Sequence, residues 1–213
     1  MSRKGVLIAI IGLDGAGKTT QAGLLCKWLE DAGNAAFDVP SIPSFADWIF
    51  DTISLRKGYK KAMDLFPPTI VDFAVAIDKV RSLSIYTEKM ASQGAIIISQ
   101  RYTYCKIATA MQCGVEHIDL LKEIYSWVPK PDLTFFMDLP VDIALDRVMK
   151  RGVDEETYEG LGGFKACYEA LPEYKEFIQI DANRSVEEIQ MDLRKHVQEY
   201  LDKINWKAPT PIR

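Results

Sequence analysis

Residues 12–20 read Gly-Leu-Asp-Gly-Ala-Gly-Lys-Thr-Thr. Gly12, Gly17, Lys18 and Thr19 match the spacing G-x-x-x-x-G-K-[ST], the pattern of a phosphate-binding loop. The chemistry follows from the residue types. Glycines let backbone N–H groups curl around phosphate oxygens, and the helix that must start at the loop adds a favourable dipole. Lys18 is placed to reach the β- and γ-phosphates of a nucleoside triphosphate, and the Thr19 hydroxyl to hold Mg²⁺. Gly15 and Ala16 complete the turn, Thr20 extends it, and Asp14 sets one acid inside it.

A second candidate constellation is Ser-Gln-Arg-Tyr at 99–102. It follows the apolar run Gly-Ala-Ile-Ile-Ile, so Gln100 and Arg101 fall where a strand ends and α/β sites gather. An arginine fork there suits a phosphate, because it binds two oxygens at once. Kinases built on a phosphate loop usually carry an acid at the preceding position. Gln100 is neutral and offers neither a base nor a charged metal ligand.

Both constellations need strands to aim them. Strand-like runs occupy 5–11, 35–39, 95–99, 133–139 and 177–181, and most are apolar enough to be buried on both faces. Helical patterns cover 19–31, about 44–55, about 69–92, 105–112, 117–127, 141–151, 164–171 and 186–204. Alternating strands and helices predict an α/β fold, a five-stranded parallel sheet flanked by helices. With 213 residues and no internal repeat or low-complexity linker, one domain spanning 1–213 is expected. The stretch at 56–61 reads as a basic surface turn and the Pro-rich stretch at 207–213 as a loosely held tail.

Composition narrows the function classes. The formal net charge of −4 argues against a sequence-independent nucleic-acid binder. Cys26, Cys105, Cys113 and Cys167 show no C-x-x-C spacing, so neither zinc nor a redox pair is implied, and reduced thiols in a cytoplasmic protein are the simplest reading. The apolar run at the N-terminus breaks at Gly12, which fits a buried strand better than a signal peptide or a membrane span. His117 and His196 have no partner motif and read as surface residues. The guanine-binding motif N-K-x-D is absent. A small kinase fits the phosphate loop best.

Four stretches, GLDGAGKTTQ, SQRY, KPDLTFFMDLPVDIALDRVMKRG and IDANRSVEEIQMDL, together resemble the thymidylate kinases from about residue 5 to about residue 200. The resemblance implies a phosphate-loop kinase fold, ATP and Mg²⁺, a nucleoside monophosphate acceptor, most simply dTMP, and a homodimer, with no nucleic-acid or membrane partner. It also implies site residues. Asp14 matches an acid near the acceptor sugar and metal, and Arg101 an arginine that grips the acceptor phosphate. Lys79 stands where an arginine often contacts the base. Arg147 and Arg151 match the entrance of a lid at about 152–163 and would clamp donor phosphates. Asn183 and Arg184 lie in a loop that cradles adenine. Asp138 ends a strand in the manner of a metal-binding acid but reads as structural.

The sequence departs from that family on the acceptor side. Gln100 replaces an acid. Residues 37–45 contain no arginine. Val75 lies near the position of a stacking phenylalanine, a role that Phe73 is expected to take. Cys105 and Thr109 stand where a serine and an aromatic residue flank the sugar. The lid has no arginine, and Gly15 stands where some members carry one. Three readings follow: a dTMP kinase, a kinase retuned to another nucleotide or nucleoside-like acceptor, and an ATP-binding protein that is not an enzyme.

Overall fold

The computed structural model describes residues 5–41, 44–152 and 156–208. Part of the expected lid, 153–155, and most of the expected tail, 209–213, lie outside them. The chain runs β1 (Val6–Gly12), α1 (Lys18–Asp31), β2 (Ala36–Val39), α2 (Phe45–Arg56), α3 (Pro68–Ser92), β3 (Ile96–Gln100), α4 (Thr103–Gln112), α5 (Ile118–Tyr125), β4 (Leu133–Asp138), α6 (Val141–Arg151), α7 (Tyr158–Glu169), β5 (Ile178–Asp181) and α8 (Val186–Lys203). The strands form one parallel sheet in the order β2-β3-β1-β4-β5.

The apolar strand runs are explained by the two-residue period of a strand. Along β1, Val6, Ile8 and Ile10 pack on one face with Leu25 and Leu29 of α1 and Leu193 and Val197 of α8. Leu7, Ala9 and Ile11 pack on the other with Ala76 of α3, Ile107 of α4, Leu121 of α5 and Tyr168 of α7. Each face of the central strand therefore has its own core. Adjacent strands β1 and β3 then send their chains to opposite faces, β1 into α1 and β3 into α4. The two loops part at their carboxyl ends and leave a crevice, where ligands bind in open α/β sheets.

One expectation changes. The stretch 158–163, expected within the lid, forms the first turns of α7, six residues before the expected start at 164. Thr157 caps it by accepting from Gly160 N–H at 3.0 Å. Leu161, Phe164 and Tyr168 then follow at helical spacing and pack inward. Three glycines disguised this helix in the sequence. Gly163 has a packing reason, since an added Cβ would sit 3.2 Å from the Gln112 amide of α4, which bonds Gly160 O at 2.7 Å.

Asp132 fastens the sheet just before β4. Its Oδ2 accepts from Leu7 N–H at 2.7 Å and its Oδ1 from the Tyr200 hydroxyl at 3.0 Å, while its own N–H donates to Leu7 O at 2.7 Å. Removing the carboxylate strands a buried N–H, at a cost of about 1–3 kcal/mol. Asp132→Ala is therefore expected to lower the Tm by roughly 3–10 °C in a thermal melt. An unchanged Tm would contradict this role.

Candidate active site

The phosphate loop starts where β1 ends. Gly17 takes a left-handed φ of 81° and opens α1. The first helical return bond runs from Gln21 N–H to Gly17 O at 3.0 Å. The N–H groups of the preceding turn lack helical acceptors and are the natural partners of an anion. Gly15 has φ 84°, and a Cβ there would stand 2.6 Å from Ala144 O of α6. A side chain at this position is excluded by packing, which explains the glycine that the sequence comparison marked as a departure. Arg147 of α6 reinforces the contact. Its Nη1 lies 3.3 Å from Gly15 O and 3.2 Å from Ala182 O, so it ties the phosphate loop to the loop after β5.

Lys18 is buried at the head of α1. Its ammonium donates to Leu13 O at 2.7 Å and to Asp14 Oδ1 at 3.3 Å. Burial pulls its pKa down to about 8, with Arg101 acting in the same direction and Asp14 against it. The same Asp14 oxygen accepts from Arg101 Nη2. Burial opposes ionisation of Asp14, but Lys18 and Arg101 outweigh it and its pKa is lowered. Arg101 adopts a φ of 68°, an uncommon conformation for a side chain of this size. Two backbone bonds secure it: Arg101 N–H to Ile10 O at 3.0 Å, and Ser99 Oγ to Arg101 O at 2.8 Å. Lys18 and Arg101 arrive from different strands and meet at one carboxylate.

Gln100 answers the question raised by its neutrality. Its Nε2 donates to both oxygens of Asp38, each at 2.8 Å, and its Oε1 accepts from Thr19 Oγ1 at 2.9 Å. A carboxylate cannot donate, so Asp38 fixes which end of the amide faces Thr19. The acid has moved from the end of β3 to the end of β2. Asp38 escaped the sequence reading because it sat inside an apparently ordinary strand. Its place one register step from the strand end, beside Gln100, was the signal.

A cavity of about 230 Å³ opens beside Arg101. Gln100, Arg101, Cys105 and Thr109 line it, with Lys79 and Ser82 of α3 and Lys106 of α4. The Thr109 hydroxyl donates to Cys105 O at 2.9 Å and keeps its acceptor capacity. Phe73 is a correction. It lines a separate shallow groove with Ile77, Leu120, Ile124 and Trp127. Six residues carry a helix through about 240° beyond a full turn, so Phe73 and Lys79 face different ways. Val75, on the Lys79 side, is buried against Ala62 and Val71.

The other expected residues are placed as follows. Arg151 ends α6, is exposed, and its charge acts on Asp14. Asn183 is exposed, and its N–H donates to Asp181 Oδ1 at 2.9 Å. Arg184, expected in the loop that cradles adenine, pairs its guanidinium with Asp192 of α8. Asp138 pairs with Lys165 of α7, in keeping with a structural reading. Lys106 and Asp38 are the additions that the sequence reading missed.

Gln100→Glu tests the Asp38 arrangement, since it sets two carboxylates face to face. Burial already raises the pKa of Asp38, and the Gln100 hydrogen bond lowers it in part. The substitution removes that bond and adds a charge. At an effective dielectric of about 20, two charges roughly 4 Å apart repel by about 4 kcal/mol, a ceiling for the effect. Carboxyl groups with raised folded-state pKa values stabilise below their unfolded pKa and lose that stability as pH rises through the folded value. The Tm deficit of the variant should therefore grow from pH 4.5 to pH 7.5. A deficit independent of pH would refute the arrangement.

Comparison with known proteins places this geometry in context. The thymidylate kinase family model matches residues 10–193. A relative from Saccharolobus solfataricus, named "Probable thymidylate kinase 2", is 31% identical over 93% of this chain and 98% of its own. The "Thymidylate kinase" of Fervidobacterium nodosum is 24% identical over 92% of this chain and 100% of its own. The solved thymidylate kinase of Candida albicans has the same fold, with a TM-score of 0.72 at 21% identity over 93% of both chains. The phosphate loop, the parallel sheet and these matches agree: this chain belongs to the thymidylate kinase family of phosphotransferases.

Proposed function

We propose that the protein transfers the γ-phosphoryl group of ATP to a nucleoside 5′-monophosphate, with dTMP as the reference acceptor. The observation that carries this reading is the meeting of Lys18 and Arg101 on Asp14. Lys18 belongs to the donor loop and Arg101 lines the acceptor cavity, so the two cations bracket the place where a phosphoryl group would pass.

Each residue then has a task. The N–H groups at the start of α1 hold donor phosphates, and Lys18 neutralises charge as the bond to the leaving oxygen breaks. Arg101 leaves Asp14 for the acceptor phosphate, whose oxygens are better partners for its fork. Arg151 stands at the end of α6 to cover the donor. Asn183 frames the base of ATP, while Arg147 supports the two donor loops from behind. No general base is needed, because a phosphate acceptor is already ionised at neutral pH.

The residues fit Mg²⁺. Thr19 Oγ1 and Gln100 Oε1 are hard neutral oxygens within 2.9 Å of one another, and Mg²⁺ takes few protein ligands and relies on phosphates and water for the rest. When bound it would screen the phosphate charge and polarise the transferred group. Residues 1–213 act as one catalytic unit in this proposal.

The family's pairing into homodimers is proposed here on a surface observation. Ile70, Ile77 and Ile85 of α3 are exposed, as are Leu120 and Trp127, the last at 79%. The isoleucine spacing of seven and eight residues puts them in one stripe. A second copy of this chain would bury it.

Two tests follow. Lys18→Ala should lower phosphoryl transfer to dTMP, or to the best acceptor in an ADP-release screen, by at least 10³-fold while far-UV dichroism is unchanged; near-native turnover would sink the reading. Light scattering after gel filtration should give a dimer for the wild type and a monomer for Ile77→Asp/Trp127→Asp. A wild-type monomer at tens of micromolar would rule the dimer out.

A further inference from the structure

Tyr168 of α7 is fully buried, at 0% exposed. Its ring stands edge-on to Phe136 of β4, with centroids 5.3 Å apart, and tilts against Phe164 at 4.8 Å. Phe136 pairs in register with Ile11, one residue before Gly12, so the ring lies beneath the start of the phosphate loop. A phenylalanine would serve all of this packing. The hydroxyl is the part that needs a reason. Among the described residues it has no hydrogen-bond partner. Buried tyrosine hydroxyls usually find one, and an unpaired hydroxyl in a core costs stability.

The surroundings of that oxygen belong to the active site. The groups that act on it are Cys105, Arg101 and the backbone of Gly12. The ionisable groups that act on Arg101 are in turn Cys105, Asp14 and Tyr168. Two of these three are occupied. The Cys105 sulfur accepts from Tyr102 N–H at 3.4 Å, and the Asp14 carboxylate holds Lys18 as well as Arg101. The phenol oxygen of Tyr168 is spare.

Arg101 has donors to match. Among the described residues only Nη2 of its fork is engaged, by Asp14, whereas a guanidinium has N–H donors on all three nitrogens and no acceptor. Its backbone is pinned on both sides, by Ile10 and by Ser99, so exchanging Asp14 for an acceptor phosphate is a movement of the side chain. A long side chain that gives up its partner gains rotamer freedom. Two phosphate contacts at once require the plane of the fork to be fixed.

We propose that the Tyr168 hydroxyl is a positioning group for Arg101: when the guanidinium leaves Asp14 for the acceptor phosphate, the phenol oxygen accepts one of its remaining N–H groups and fixes the plane of the fork. The hydroxyl is unpaired in the empty site because Asp14 holds its partner. This rests on the kinase reading above and deepens it by giving the buried face of α7 a part in gripping the acceptor.

The experiment measures binding without ATP, so it is independent of turnover. Calorimetry compares dTMP with thymidine, which lacks the phosphate. The ratio of the two Kd values reads the phosphate's share of binding and cancels any general loss of folded protein. In Tyr168→Phe the ratio should fall about fivefold, while thymidine binds as in the wild type. Arg101→Lys keeps the charge but not the fork, so its ratio is low already, and adding Tyr168→Phe should change it by less than about twofold. Tyr168→Phe should also raise the Tm by roughly 2–4 °C, since it removes an unpaired buried hydroxyl and keeps the ring. A packing role would instead lower the Tm and weaken both ligands alike. The proposal is overturned if the ratio survives Tyr168→Phe, if the same fivefold loss recurs in the Arg101→Lys background, or if Tyr168→Phe melts below the wild type. A wild-type ratio near one would remove the phosphate role of Arg101 and this proposal with it. A phosphate preference that depends on both residues, in a protein that transfers no phosphoryl group, would uphold the positioning role and sink the kinase reading. Phosphoryl transfer with a ratio untouched by Tyr168→Phe would do the reverse.

Discussion

The carboxylate of Asp14 is the point on which the two halves of the site depend. It comes from the loop after β1, yet it orients Arg101, which comes from the end of β3, and it shares the same oxygen with Lys18. Without a central acid, two cations in a partly buried crevice would repel one another and splay. With it, both are held near the path of a transferred group before any phosphate arrives. Catalysis by positioning and electrostatics gains most from such preorganisation, since the groups need not be reorganised during the reaction. The sheet makes this possible by sending β1 and β3 toward helices on opposite faces.

Gln100 shows how a charge can be moved without being lost. The amide is neutral, but Asp38 stands behind it and turns its oxygen toward Thr19. The phosphate region thereby meets a dipole where other kinases place an acid. The full negative charge lies one side chain further away, at the edge of the sheet. This eases the electrostatic demands on the triphosphate side, and no carboxylate lines the cavity beside it among the described residues.

Most of the fold was legible because its signals are local. Strands buried on both faces read as continuous apolar runs, and all five expected strands are present within about one residue of their predicted bounds. The phosphate loop was legible because its chemistry demands fixed residue types at fixed spacing. The start of α7 was hidden, since Gly160, Gly162 and Gly163 lie within its first turns and read as turn residues, although Gly163 serves packing against Gln112 of α4. Asp38 and Lys106 were hidden for a different reason. Their significance lies in what stands beside them across the sheet or across the cavity, and no spacing within one segment encodes that. Phe73 misled because a two-residue difference from Val75 is small in sequence and about 200° on a helix.

The contact between Gly15 and Ala144, with Arg147 bonded to both Gly15 and Ala182, has a consequence for how this scaffold can diverge. The donor half is interlocked by backbone. A methyl group at position 15 already collides with a carbonyl, so nearly every change there is felt at once by the loops before α1 and after β5. The acceptor wall is assembled from side chains on α3 and α4, and single residues can be exchanged there while the helices keep their places. Variation is thus channelled to one side of the crevice. The engine stays frozen, and its cargo is open to revision.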